Sequence, residues 1–251
     1  MTKPKVVVVQ AASVDGRLTL SPDTLLMAAM DRWVAVAGAS EVFLNTLKQT
    51  YQPQAQLEGS GSFMLESMTP DPLPPADGDL AALYDDFLPA EIVNQPGRRW
   101  FTVVDSRGRI RWMYKEMPGE DGTVWYALLL VSRQTPPSYL AYLRRETIPY
   151  LVVGEDRVDL ACALDKLNTL LGVTTVMSTA GGTLNGALLR AGLIDEVNID
   201  FFPGLIGGRA TSSLFDSTEL GPDDIPTRLN LISAEAQPDG HVWLRYEVAP
   251  R

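Results

Sequence analysis

One cysteine and one histidine are all that this chain of 251 residues offers to soft-metal or imidazole chemistry. Cys162 alone excludes an intrachain disulfide and a cysteine-based zinc cluster, and His241 alone excludes any site that needs two imidazoles. Runs of basic residues are missing too: 21 Lys+Arg stand against 31 Asp+Glu, a formal net charge of −10. Nucleic-acid and anionic-membrane binders concentrate positive charge instead. No apolar stretch approaches the roughly 18 residues needed to cross a bilayer. The opening MTKPKVVVVQ lacks the charged, apolar and small-residue succession of a secretory signal. These absences predict a soluble, cytoplasmic protein with most metal sites excluded and without the charge of a general nucleic-acid or membrane-surface binder.

What is present has the proportions of a globular fold, 45% hydrophobic and 21% charged. Val6 to Val9 is an unbroken β-branched run, the pattern of a strand buried on both faces, and it leads into a turn-forming segment from Ala11 to Arg17. A helix is expected from Glu41 to Thr50 with Ser40 as its cap, then a short strand from Ala55 to Glu58 ending in Gly59-Ser60-Gly61-Ser62. From Met68 to Gly97 prolines recur (Pro70, Pro72, Pro74, Pro75, Pro89, Pro96), with a helical patch from Leu80 to Phe87. This reads as an insertion, either a surface excursion or a lid.

Beyond it strands and helices alternate. Strands are expected at Trp100–Val104, Val124–Val131, Tyr150–Val153, Thr174–Ser178 and Glu196–Phe202. Helices are expected after Pro136-Pro137, at Val158–Leu171 and at Leu184–Ala191, with Gly172 and Gly192 as C-terminal caps. Arg228–Gln237 and His241–Ala249 flank Pro238-Asp239-Gly240 as an antiparallel hairpin. The prediction is one α/β domain over residues 1–251: a mostly parallel central sheet, helices on both faces, an antiparallel C-terminal hairpin, and the insertion at about 68–97.

Three turns rich in glycine or hydroxyl groups follow predicted strands. Gly181-Gly182-Thr183-Leu184-Asn185-Gly186 opens a helix, where backbone N–H groups and the helix dipole favour an anion; the other reading is a tight turn without a ligand. Ser132-Arg133 offers a hydroxyl and a donor fork suited to a phosphomonoester, unless the arginine is only a solvated loop residue. Gly59, Ser60 and Ser62 form the third. Asp15, Glu66 and Asp105 stand as acids, substrate contacts or turn corners. His241 has no nameable partner and reads as a surface or edge residue, and Cys162 as a packing residue.

The segments Ser13-Val14-Asp15-Gly16-Arg17, Val104-Asp105-Ser106-Arg107-Gly108, Ala180 to Glu196 and Pro203-Gly204-Leu205-Ile206-Gly207-Gly208 resemble the reductase domain of riboflavin biosynthesis. That family is dihydrofolate-reductase-like, and the resemblance covers nearly all of the chain outside the insertion. It implies NADPH-dependent hydride transfer that turns the ribosyl group of a pyrimidine phosphate into ribityl, by a homodimer without metal. It places the cofactor pyrophosphate on Gly181, Gly182, Thr183, Leu184 and Asn185, and the adenosine 2′-phosphate on Ser132 with Arg133. Ser62 stands where the family has a cofactor-contacting threonine, and Glu66 where many members have an aspartate beside nicotinamide and substrate. Asp15 and Glu66 are thus the candidate catalytic contacts or proton relays.

On the substrate side the chain departs from the family. Thr179 replaces a glutamate, Lys48 replaces a helix arginine, and no Arg or Lys occurs between Glu66 and Arg98 to grip a phosphate. A pterin, folate or specialised-metabolite reductase, and a non-catalytic nucleotide- or partner-binding homologue, remain the alternatives.

Overall fold

The computed structural model describes residues 3–38, 41–119 and 122–250, with only the backbone of 41 and 42. The expected cap Ser40 lies outside the described residues. In chain order the elements are β1 (Lys5–Ser13), α1 (Met30–Ala37), α2 (Glu41–Tyr51), β2 (Ala55–Gly59), α3 (Ala90–Val93), β3 (Arg99–Val104), β4 (Glu116–Pro118), β5 (Val124–Val131), α4 (Pro137–Arg145), β6 (Tyr150–Val152), α5 (Leu160–Leu171), β7 (Thr175–Ser178), α6 (Gly182–Arg190), β8 (Glu196–Phe202), β9 (Leu229–Ala236) and β10 (Val242–Val248). The α/β alternation is as expected, and β1 runs on to Ser13, into the segment expected to turn. The chain divides into two compact units, Met1–Pro4 with Pro53–Val176 and Lys5–Gln52 with Met177–Arg251.

In the first unit β2, β3, β5 and β6 are successive parallel neighbours. The short β4 runs antiparallel along the start of β5, Glu116 facing Tyr126, while β6 takes the end of the same strand, Tyr150 facing Leu129. From Trp125 to Val131 strand β5 is buried throughout, and Val103, Leu129, Tyr139, Leu143 and Tyr150 build the core around it. Helix α5 shows why boundaries fall where they do: Asp159 accepts hydrogen bonds from the N–H groups of Ala161 and Cys162, and Gly172 ends the helix in the left-handed region at φ 65°.

The proline-rich segment is fastened down. Tyr150 Oη donates to Leu83 O at 2.6 Å, Arg144 Nη2 donates to Ala82 O at 2.6 Å, and Tyr84 Oη donates to Thr135 O at 2.9 Å. Asp86 accepts from Lys166 Nζ at 2.8 Å and from Val152 N at 2.8 Å. The expected helical patch shrinks to a single 3-10 turn, Ala81–Tyr84. Asp79 caps its first N–H groups, Asp85 is already extended, and Pro89 stops any continuation.

In the second unit β1 and β8 are parallel, β10 lies antiparallel to β8, and β9 lies antiparallel to β10, completing the expected hairpin. Val6 to Val9 are at most 3% exposed, as a doubly covered strand requires. Leu47 of α2 packs on Val7 and Val9, and Trp33 of α1 meets Phe202 edge to face at 5.0 Å. Beneath these helices β8 carries a row of buried polar residues, Glu196, Asn198 and Asp200. Each has partners: Glu196 accepts from Lys5 at 2.8 Å, from Arg245 at 3.3 Å and from Tyr51 Oη. Buried charge of this kind persists only when paired.

Candidate functional site

Ligands of parallel α/β sheets bind at the carboxyl ends of strands, and the predicted site residues lie at such ends except Lys48, which stands in the last turn of α2 ahead of the start of β2. In the first unit β2 ends at Gly59 and passes into a 3-10 turn, Ser60–Ser62. Ser62 Oγ donates to Glu58 Oε2 at 2.9 Å, so its hydroxyl is tied to the strand it follows. Past β5 the two neighbours separate. Ser132 is fully buried, whereas Arg133 is exposed, its guanidinium 3.4 Å from the more exposed Glu155. Beside Arg133 a polar cleft of about 330 Å³ opens between Tyr84, Asp86, Gly154 and Lys166. Of the pair, Arg133 is the one placed to meet a ligand.

Glu66 is exposed and held by two arginines, one of them through a full fork. Arg107 donates to both its oxygens at 2.6 and 2.8 Å, and Arg109 reaches Oε2 at 3.3 Å. The Arg107 hydrogen bond and charge, reinforced by Arg109, hold the Glu66 carboxyl below the usual glutamate range. Both arginines come from the turn after β3, and neither was among the candidate site residues. The Arg-Gly-Arg spacing after Asp105 was the available signal. Asp105 itself is a turn corner, its Oδ2 accepting from the N–H groups of Arg109 and Ile110 at 2.8 and 2.9 Å.

In the second unit Asp15 follows β1. Its carboxylate accepts from Ser13 Oγ at 2.6 Å and from the N–H groups of Ile206 and Gly207 at 3.1 and 2.7 Å. The Ser13 hydroxyl first, then the Ile206 and Gly207 N–H groups, lower its pKa to about 2. Asp15 therefore stays ionised at neutral pH and pins the Pro203–Gly208 segment, whose Gly207 and Gly208 take φ of 74° and 83°. Lys48 is half-buried in the last turn of α2, and Thr179 is half-buried directly after β7.

The glycine turn is more differentiated than its sequence. Gly181 is the N-cap of α6, exposed and extended, with no side-chain cap and no neighbour where a Cβ would stand. Thr183 is exposed and Leu184 half-buried. Asn185 is fully buried, accepting from Ser178 Oγ at 2.9 Å and donating to Ala180 O at 2.9 Å, which locks the turn from inside. At Gly182 a Cβ would overlap the Ser213 carbonyl oxygen and stand 2.5 Å from an Asp216 carboxylate oxygen. At Gly186 it would overlap the Asp216 carbonyl. These two glycines, one turn apart on α6, receive the backbone of residues 213–216 rather than a ligand. The exposed helix N-terminus at Gly181 has the donor chemistry for a pyrophosphate.

His241 is corrected by the structure. It is only 9% exposed, with Nδ1 2.8 Å from Oδ2 of buried Asp200. The hairpin register sets Val242 opposite Phe201 and brings His241 to Asp200, a pairing between residues 41 positions apart. Burial raises the Asp200 pKa and the His241 contact opposes that rise.

Residues 74–243 match the RibD C-terminal domain model, more than half of the chain. The chain belongs to the RibD C-terminal domain family. Ser132, Arg133, Thr179 and the Gly181 turn lie inside the matched range; Asp15, Lys48, Gly59 to Ser62 and Glu66 precede it. This RibD-type chain is 34% identical over 129 residues to the 2,5-diamino-6-ribosylamino-4(3H)-pyrimidinone 5′-phosphate reductase of Methanothermobacter thermautotrophicus, covering 51% of this chain and 56% of that one. It is 32% identical over 139 residues to the riboflavin biosynthesis protein RibD of Escherichia coli, covering 53% and 32%. The chain thus spans about half, or less, of the length of the curated relatives it matches. Among solved structures, a pyrimidine reductase-like protein of Corynebacterium diphtheriae superposes with a TM-score of 0.66 at 18% identity, covering 100% of this chain and 94% of that one. That likeness, with the TM-score of 0.63 to Acinetobacter baumannii RibD, which covers 99% of this chain and 59% of that one at 20% identity, shows the fold. It is the dihydrofolate-reductase-like α/β fold that the sequence resemblance implied.

Proposed function

We propose that this chain is an NADPH-dependent reductase that delivers hydride to the ribosyl carbon of a ribosylaminopyrimidine 5′-phosphate, giving the ribityl product. The observation that most directly supports this reading is its 34% identity to a relative named as the reductase of such a phosphate. The donor chemistry agrees: Gly181 and Thr183 at the open start of α6 would hold the pyrophosphate, and Arg133 beside its cleft the 2′-phosphate. The nicotinamide, when bound, supplies the hydride. Ionised Asp15 and Glu66 serve as acceptors that order the turns around the ligand rather than as stores of a proton, because both carboxyls are held below their ordinary values. Thr179, directly after β7, stands as a substrate contact, whereas Lys48, in the last turn of α2, is set away from the strand ends that carry the other candidates.

A cytoplasmic homodimer completes the reading. Strand β9 supports the dimer, for Leu229, Leu231 and Ile232 are 41%, 59% and 47% exposed on an edge strand with no proline or lysine to guard it. No helix among the described residues is long and apolar enough to cross a membrane.

The test is nicotinamide absorbance in the presence of the ribosylaminopyrimidine phosphate. NADPH consumption matched by ribityl product is expected, and absence of NADPH binding would overturn the reading. Arg133→Ala is expected to weaken NADPH by about 10- to 100-fold, the worth of a charge-assisted hydrogen bond, and to leave NADH unchanged. Fluorescence titration checks this, and equal losses would move the 2′-phosphate away from Arg133.

A further inference from the structure

We infer that Arg107 is the group with which this chain grips the phosphate of its substrate, an inference that rests on the reductase reading above. Three arginines, Arg107, Arg109 and Arg111, leave the turn after β3. That turn is rigid: the Asp105 carboxylate closes it, and Gly108 sits at φ 65° against the Tyr139 ring, where a Cβ would be 2.7 Å from the ring.

Two of the three arginines are committed to backbone. Arg109 donates to Leu65 O at 2.6 Å and Met68 O at 2.8 Å, and Arg111 donates to Asp71 O at 2.6 and 2.9 Å. Arg107 differs: its side chain is 54% exposed and its fork is engaged with Glu66, itself 78% exposed. Ion pairs that exposed are weak bonds. Glu66 also needs only one of its two cations, because Arg109 remains beside it at 3.3 Å, with a side chain only 11% exposed, when Arg107 turns away.

The cluster thus carries one positive charge more than it uses, on a protein whose formal net charge is −10. It stands by the carboxyl ends of β2 and β3, the ligand-bearing edge of a parallel sheet. A phosphate monoester brings nearly two negative charges and several acceptor oxygens, and it competes well with one exposed carboxylate for a planar fork.

Calorimetric titration of the full chain with the ribosylaminopyrimidine 5′-phosphate and with its dephosphorylated counterpart tests this. Arg107→Gln is expected to weaken the phosphate ester about 30-fold and to leave the dephosphorylated form unchanged, with KM for the ester rising in step and kcat nearly constant. Arg107→Lys, which keeps the charge and loses the fork, should fall between. Arg145→Gln removes another exposed arginine of the same unit, one paired with Glu146 at 3.3 Å, and is expected to change neither. A loss shared equally by both ligands, or reproduced by Arg145→Gln, overturns the inference. If the unsubstituted chain oxidises NADPH with the ester and Arg107→Gln does so at an unaltered KM, Arg107 is not the grip and the reductase reading stands. If the unsubstituted chain binds neither NADPH nor the ester, the reductase reading falls and this assignment with it.

Discussion

Gly186→Ala is expected to destabilise the protein by on the order of 3 kcal/mol, the upper range for forcing a methyl into a filled contact. The added carbon would overlap the Asp216 carbonyl oxygen and stand 2.6 Å from the carbonyl carbon. Both are backbone atoms that no rotamer change can move. Residues 213–216 cannot easily withdraw, because the Asp216 N–H donates to Gly182 O at 2.9 Å and the Asp216 carboxylate accepts from Ser212 Oγ at 2.9 Å. Gly182→Ala should behave alike, for its Cβ would meet the Ser213 carbonyl. Gly181→Ala, by contrast, enters open space and should stay within about 0.5 kcal/mol of the parent. Urea unfolding midpoints at constant m-value compare the three. Equal stability of all three would show that residues 213–216 do not rest on α6 in the folded protein.

That contrast decides how the cofactor seat has to be tested. A carboxylate at Gly182 would lower NADPH affinity whether or not a pyrophosphate binds there, because it would displace Ser213 and crowd Asp216 first. Gly181→Asp separates the effects. Aspartate is among the best N-cap residues and its charge opposes the helix dipole favourably, so the fold should keep or gain about 0.5–1 kcal/mol. The same carboxylate would face a pyrophosphate at the start of α6, and NADPH affinity is expected to drop about 100-fold. Gly181→Asn, a comparable cap without charge, should lose far less. Nicotinamide fluorescence titration beside thermal unfolding reads both quantities. Undiminished NADPH binding by a well-folded Gly181→Asp would place the pyrophosphate elsewhere.

Much of the fold was legible in the sequence because it depends on local pattern. The valine run of β1, the buried stretch of β5, Gly172 at the end of α5 and the Gly240 hairpin all express backbone propensity or burial within a few neighbouring residues. Helix α1 and the three-residue β4 were missed, since Met30–Ala37 carries no cap signal and β4 exists only through its pairing with β5. The patch from Leu80 to Phe87 was overread because its apolar spacing suits a helix, while its bonds to Lys166, Val152 and Tyr150 impose another path.

Candidate site residues divide along the same line. Sequence by itself determined that the Gly181 turn opens a helix after a strand, that Arg133 follows β5, and that one histidine and one cysteine leave little room for metal chemistry, because these follow from residue type and order alone. Only the tertiary structure decided which glycine is open and which is filled, that Ser132 is buried while Arg133 is exposed, that His241 has a buried carboxylate for a partner, and that Glu66 meets Arg107 and Arg109 from more than 40 positions away. Each of those depends on what a distant strand or loop brings alongside, and contact between distant segments is set by packing, which no local pattern encodes.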